Sequence, residues 1–241
     1  MEEHPVPSRL TLAILAALLG GAAQAGPWPR EAGRSFLSLT HERDRAGNAH
    51  TGLYAERGLS RRRTLGLEIG HTDVGETTAM LWYQRSLDGG AGPNRLSWSM
   101  GLGVIRRDGA VLPSSQAALM WGRGFQGPWD GGWLMAEGRV TVSGRSETVR
   151  TRQGLSVVEY AYLTPQAVAK LDLTLGIRPT PDWAIVNQLR LEAAKDEDVL
   201  VRLATSVVRD LAGPLRLEAG VIAPLSGAGE PALKIGTWLE F

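Results

Sequence analysis

Glu230-Pro231-Ala232-Leu233-Lys234-Ile235-Gly236-Thr237-Trp238-Leu239-Glu240-Phe241 is the segment from which the rest of this 241-residue sequence is read. Leu233, Ile235, Thr237 and Leu239 alternate with Lys234, Gly236, Trp238 and Glu240. A period of two with one oily side and one charge-bearing side describes a strand held between two unlike environments. The same pattern recurs upstream often enough to set a fold class.

Strand one, residues 34–43, sets Leu37, Leu39 and His41 against Ser38, Thr40 and Glu42. Strand two, 51–60, alternates poorly around Arg57. Strand three sets Leu65, Leu67 and Ile69 against Gly66, Glu68 and Gly70, and strand four covers about 77–87. A Gly-rich turn at 88–94 leads to strand five, where Leu96, Trp98, Met100, Leu102 and Val104 oppose Ser97, Ser99, Gly101 and Gly103. Strand six, 115–125, turns Ala117, Leu119 and Trp121 to the apolar side. Strand seven opposes Leu134, Ala136, Val140 and Val142 to Glu137, Arg139 and Thr141. Strand eight, 170–178, is as regular, with Leu171, Leu173, Leu175 and Ile177 against Lys170, Asp172, Thr174 and Arg178. Strands nine (183–193), ten (199–209) and eleven (from Leu215) repeat the pattern, and residues 230–241 make the twelfth.

Residues 157–163 also read as strand. Counting them separately would give thirteen strands and leave the chain end on the wrong side of a membrane. They are therefore read as an extension of a hairpin above the membrane. With Gly26 starting in the periplasm, the connections at 179–182 and 210–214 are periplasmic and short, and the longest connection, between strands seven and eight, is extracellular.

The N-terminus supplies the address. An apolar core at 10–19 follows Arg9 and precedes Ala23-Gln24-Ala25, the layout of a secretory signal peptide (residues 1–25) with a small-x-small cleavage site. About ten apolar residues are too few for a membrane helix, which takes roughly 20. The chain has no cysteine, which leaves no disulfide framework, thiolate site or lipid-modified Cys. It carries 26 basic and 25 acidic residues. Removal of 1–25 takes Arg9, Glu2 and Glu3, leaving 25 against 23 and no basic excess that would suggest nucleic acid as a partner.

A soluble sandwich would also alternate. The secretion signal, the long strands and the charge on the minority face favour closure in lipid, where every backbone group must be paired and only a closed sheet lacks edges. The terminal strand ending on Phe241 resembles the strand that bacterial outer-membrane β-barrels present to the barrel-assembly machinery. The expected fold is all-β: a closed antiparallel up-and-down transmembrane barrel of about twelve strands over 34–241, after a periplasmic lead-in at 26–33. Its expected location is the bacterial outer membrane, with that membrane's lipid and lipopolysaccharide as neighbours. Trp98, Trp121 and Trp183 suit interfacial girdles, and Trp238 falls on the lumen face.

The lumen face collects Glu42, Glu56, Glu68, Glu137, Asp172, Glu192 and Glu218 among acids, and Arg139, Lys170, Arg178, Arg190, Arg202, Arg216 and Lys234 among bases. Strands one to three contribute only acids and strands eight to twelve mostly bases, so closure sets an acidic arc against a basic one. Two readings follow: a salt-bridged mesh that fills a narrow barrel, and a pore with a transverse field that selects small polar solutes. Gly101 and Gly103 read as room-making in that lumen, where serine at either position is expected to be mild.

His41, His50 and His71 fall near the extracellular ends of the first hairpins, beside Asp73 and Glu76. A rim enzyme for lipid or peptide hydrolysis and a solvated rim are both compatible with that. The spacing suits no metal site, and no catalytic residue or cofactor is expected. Arg43, Arg45, Arg106 and Arg107 lie at extracellular strand ends, where they suit lipopolysaccharide phosphates or solvent. Residues 26–31 (Gly-Pro-Trp-Pro-Arg-Glu) with Phe36-Leu37-Ser38-Leu39 resemble uncharacterised outer-membrane barrels grouped with aromatic-degradation transporters. That resemblance implies transport and carries over no site residue.

Overall fold

The computed structural model describes residues 26–241 apart from 89–91, 108, 128–129, 154–155, 196 and 212, with only the backbone described for 146–162. The expected signal peptide at 1–25 therefore lies outside the described residues. The strands are β1 (Ser35–Asp44), β2 (Ala49–Ser60), β3 (Arg63–Thr72), β4 (Thr77–Ser86), β5 (Asn94–Arg107) and β6 (Ala110–Phe125). They continue as β7 (Gly132–Gln153), β8 (Ser156–Thr180), β9 (Trp183–Ala194), β10 (Leu200–Asp210), β11 (Leu215–Ser226) and β12 (Ala232–Glu240). Each pairs antiparallel with its chain neighbours, and β1 pairs with β12 from Phe36↔Glu240 to Asp44↔Ala232, closing a twelve-stranded barrel.

Alternation sorts the two faces as the sequence predicts for the apolar side. Leu102, Leu233, Leu119 and Ile235 stand on the outside with nothing covering them. A continuous outer belt of large apolar side chains is what a bilayer would cover and water would not tolerate. Trp121 and Trp183 are on this outer face, the latter with the Arg209 guanidinium 5.1 Å over its ring. Trp98 meets Tyr83 edge-on, with ring centroids 5.9 Å apart.

The segment 157–163 joins β8, so β7 and β8 form one long hairpin. Past Ser114↔Ser143, where β6 stops pairing, β7 and β8 continue alone from Gly144↔Pro165 to Gln153↔Ser156. Those ten rungs make a two-stranded ribbon extending about 33 Å beyond the rim at ~3.3 Å per residue.

The inner face is less polar than the alternation suggests. Trp82 and Trp133 are buried, and each ring lies over a glycine on the paired strand: Trp82 over Gly66 and Trp133 over Gly176. A Cβ at Gly176 would fall 2.1 Å from the Trp133 indole, and one at Gly66 would fall 2.0 Å from Trp82. Glycine on these strands is thus a socket for an aromatic side chain on the adjacent strand. Gly176→Ala is expected to cost about 1–3 kcal/mol by overpacking, read from urea unfolding in lipid by tryptophan fluorescence. A Gly138→Ala control, whose Cβ would meet nothing within 4 Å, should be near neutral.

The same geometry corrects the expectation for Gly103. A Cβ there would lie 2.1 Å from the Ala79 carbonyl oxygen and 2.9 Å from Met80 Cα, both backbone atoms that cannot yield. At Gly101 the contacts are at 3.0 Å and are with Gln116, Met80 and Trp82 side chains. Serine is therefore badly placed at 103 and crowded at 101, because the two glycines admit neighbouring strands and side chains and do not border empty lumen.

Candidate functional site

Residues 26–33, expected as an extended lead-in, turn into the barrel at the end where β1 begins and β12 finishes. Pro27 is fully buried, and Gln84 Nε2 donates to the Gly26 carbonyl at 2.8 Å and to Ser97 Oγ at 3.2 Å. The Trp28 ring lies over Gly122 and packs on the small cluster of Trp133, Ala184 and Val208. Arg30 fixes the segment: its backbone N–H donates to Thr64 Oγ1 at 3.0 Å, and its guanidinium pairs with Glu56 and, at 3.2 Å, with Glu240. Glu56 also accepts a hydrogen bond from Tyr54 Oη.

Above this segment the rings of Trp238, Phe36, Tyr54 and Trp82 form a chain, at centroid separations of 6.1, 6.3 and 5.7 Å. The Arg30 guanidinium sits 4.5 Å over Phe36, tying the lead-in to that chain. Trp238 is on the inner face, where its Nε1–H donates to Glu218 Oε2 at 3.1 Å.

The charged side chains are joined to one another. Glu42 on β1 meets Arg190 on β9 at 3.2 Å, and Glu68 on β3 meets Arg139 on β7 at 3.2 Å. Neither strand pair is adjacent in the sheet, so these two pairs cross the interior. The remainder are lateral: Arg139–Glu137 at 2.7 Å, Lys170–Glu192 at 3.1 Å, and Lys234–Glu218 at 2.7 Å. Arg216 holds Asp210 at 2.9 Å and Glu240 at 3.5 Å. Asp172 stands in register with Glu137 and Arg190 but forms no ion pair among the described residues. Arg202 is exposed at the end away from the termini, likewise without an ion pair among the described residues. The acidic arc is thus bound to its opposite wall at two points, and the basic arc carries its own acids.

Two cavities flank this filled zone and share no lining residue. One of about 1310 Å³ opens at the terminal end, bordered by Arg30, Arg34, Arg178 and Arg216 with Glu31, Asp130, Asp210 and Glu240. The other, about 250 Å³, lies toward the opposite end between the β3–β4 and β6–β8 walls.

The sequence reading passed over Arg30, Tyr54, Trp82 and Gln84, and it set Glu240 on the charge-bearing side of the last strand without counting it among the lumen charges. Parity with Lys234 puts Glu240 inside, and parity with Gln84 would have done the same for Trp82. No periodicity announces Arg30, which sits in an irregular Pro-rich stretch.

The three histidines do not converge. His41 Nδ1 is 3.0 Å from Thr51 Oγ1 and His71 Nδ1 is 2.9 Å from Thr77 Oγ1, both on the outer-facing parity, whereas His50 faces inward over Gly70. Among the described residues no group of three His, Asp or Glu could hold a metal. Of the four rim arginines, Arg107 points inward to Glu76 at 2.6 Å, and Arg106 keeps the outward parity of Val104.

In structural comparison the chain superposes on the NanC porin with a TM-score of 0.57, at 11% identity, covering 84% of this chain and 98% of that one. The KdgM porin matches with a TM-score of 0.54 at 8% identity over 86% and 99% of the two chains, and in its complex with disordered oligogalacturonate with 0.55 at 9%. The shared feature is the closed β-barrel fold. No family model and no curated protein matches the sequence, so the likeness to aromatic-degradation transporters stands on residues 26–39 alone.

Proposed function

We propose that this chain is an outer-membrane barrel acting as a narrow passive channel for small polar solutes, with its termini in the periplasm and residues 26–33 constricting that end. The observation that carries this reading is a polar, ion-paired interior inside an apolar outer belt, with a cavity at each end. A purely structural barrel would gain from an apolar fill, since buried ion pairs repay their desolvation poorly. Charges retained across a lumen are instead the usual means of selecting solutes. The porin fold of the NanC and KdgM proteins is consistent with the same use. On this reading Arg43 and Arg106, on the outward parity at the opposite rim, would meet lipopolysaccharide phosphates.

The test is planar-bilayer recording of the purified chain. Wild type should show small conductance. Arg190→Ala removes a strut that reaches from β9 to Glu42 on β1 and should raise it severalfold. Arg202→Ala, at the rim, should change ion preference with little change in size. Silence from all three proteins would end the channel reading and leave an occluded barrel.

A further inference from the structure

The smaller cavity differs from the rest of the interior in where its unused hydrogen-bonding capacity lies. Its cations are all engaged at its own walls: Arg139 by Glu68, Lys170 by Glu192, and Arg107 by Glu76. Three acids balance three bases, so a charged solute would have to break an existing pair to find a counter-charge.

The uncharged polar side chains are the reverse case. Thr78, Ser114, Gln116, Thr141, Ser143 and Gln166 line the cavity. Ser114 Oγ is buried and has no hydrogen-bond partner, and no hydrogen bond engages the other five side chains among the described residues. Four hydroxyls and two primary amides offer donors and acceptors alike.

Strand register arranges these groups as a lattice. Ser114↔Ser143↔Gln166 forms one rung across β6, β7 and β8, and Gln116↔Thr141↔Val168 forms the rung two residues deeper. Neighbours along a rung are about 4.5–5.5 Å apart, a spacing suited to a molecule that carries hydroxyls around a ring. Facing this lattice are the inward apolar side chains of Met80 and Ile105, which can cover the C–H face of such a ring. A few convergent polar groups set against an apolar wall is the usual composition of a small-molecule site.

We propose that this cavity binds an uncharged polyhydroxylated solute of monosaccharide size. The proposal names a solute class for the channel reading and rests on it for any role in transport.

The experiment separates binding from conduction. The full chain in detergent micelles is titrated with D-glucose, sodium D-glucuronate and D-glucosamine, and contact is read by saturation-transfer NMR. Transfer to glucose is expected, with glucuronate and glucosamine much weaker. Gln116→Leu, and separately the near-isosteric Thr141→Val, should each weaken glucose binding about tenfold, the equivalent of one net hydrogen bond. Heat-modifiable gel mobility verifies that both variants are folded. No transfer to glucose, a preference for either charged sugar, or unchanged binding in both folded variants would overturn the assignment. Glucose binding in a barrel that passes no current would uphold the site and overturn the channel.

Discussion

Arg30→Ala is expected to cost about 3–5 kcal/mol of barrel stability, because it strips the partner from a carboxylate that has no access to water. The Glu56 side chain is 2% exposed, so once Arg30 is gone its charge has neither counter-ion nor solvent. Glu56→Gln in the same chain should recover most of the loss, since an amide can keep the bond from Tyr54 without a buried charge. Guanidinium unfolding in lipid vesicles, run as a four-corner cycle, measures this. Additive losses from the two substitutions would show that the pair is not coupled. In bilayers, deleting residues 27–33 should raise conductance more than any single lumen substitution, because it removes Trp28 and Arg30 together from the neck. Unchanged conductance would mean that the constriction lies higher, at the aromatic chain.

Leu102→Arg is expected to cost about 2–4 kcal/mol, the range for a cation at the lipid-facing midplane of a barrel. Leu102 is 74% exposed at mid-strand, the most exposed large apolar side chain on β5. It contacts too little protein for its loss to matter by packing, so the whole cost is one of placing charge in hydrocarbon. Refolding into lipid should therefore show the penalty, whereas stability in short-chain detergent should move far less. A similar loss in both media would place Leu102 against protein. Gly103→Ser serves as the contrast: its clash with the Ala79 carbonyl is internal and should persist in either medium.

The architecture was largely legible because two solvents impose a period of two. Strand five could be assigned face by face, and Trp238 could be put inside from parity with Lys234 alone. The parity of an even-stranded barrel was enough to turn residues 157–163 into a hairpin extension, which the β7–β8 register bears out. The interior was less legible for two reasons. Packed side chains such as Trp82, Met80 and Val208 are apolar yet face inward, so the inner face carries no uniform chemical mark. Glycine compounds this, since Gly66 and Gly176 look like empty lumen in sequence and are occupied by rings from the next strand. The lead-in was opaque because Pro27 and Pro29 exclude regular pairing, leaving burial to be settled by the cavity it enters. The charges were found by residue, but which wall each one reaches depends on closure, and no local pattern encodes that.

The seam between β1 and β12 also has a consequence for time. Every other strand pair joins chain neighbours through a short connection, whereas the seam unites distant ends: Arg30 and Glu240 are 210 positions apart. Closure is then the last and slowest event of assembly, and the species awaiting it is an open sheet with two raw edges. Arg30 clasps Glu56 on β2 and Glu240 on β12, one on each side of the seam, and it can do so only after the edges have met. A contact made after the barrier slows the reverse reaction and leaves the forward one alone. The lead-in therefore has little say in how fast the barrel forms, and a large one in how long it stays shut.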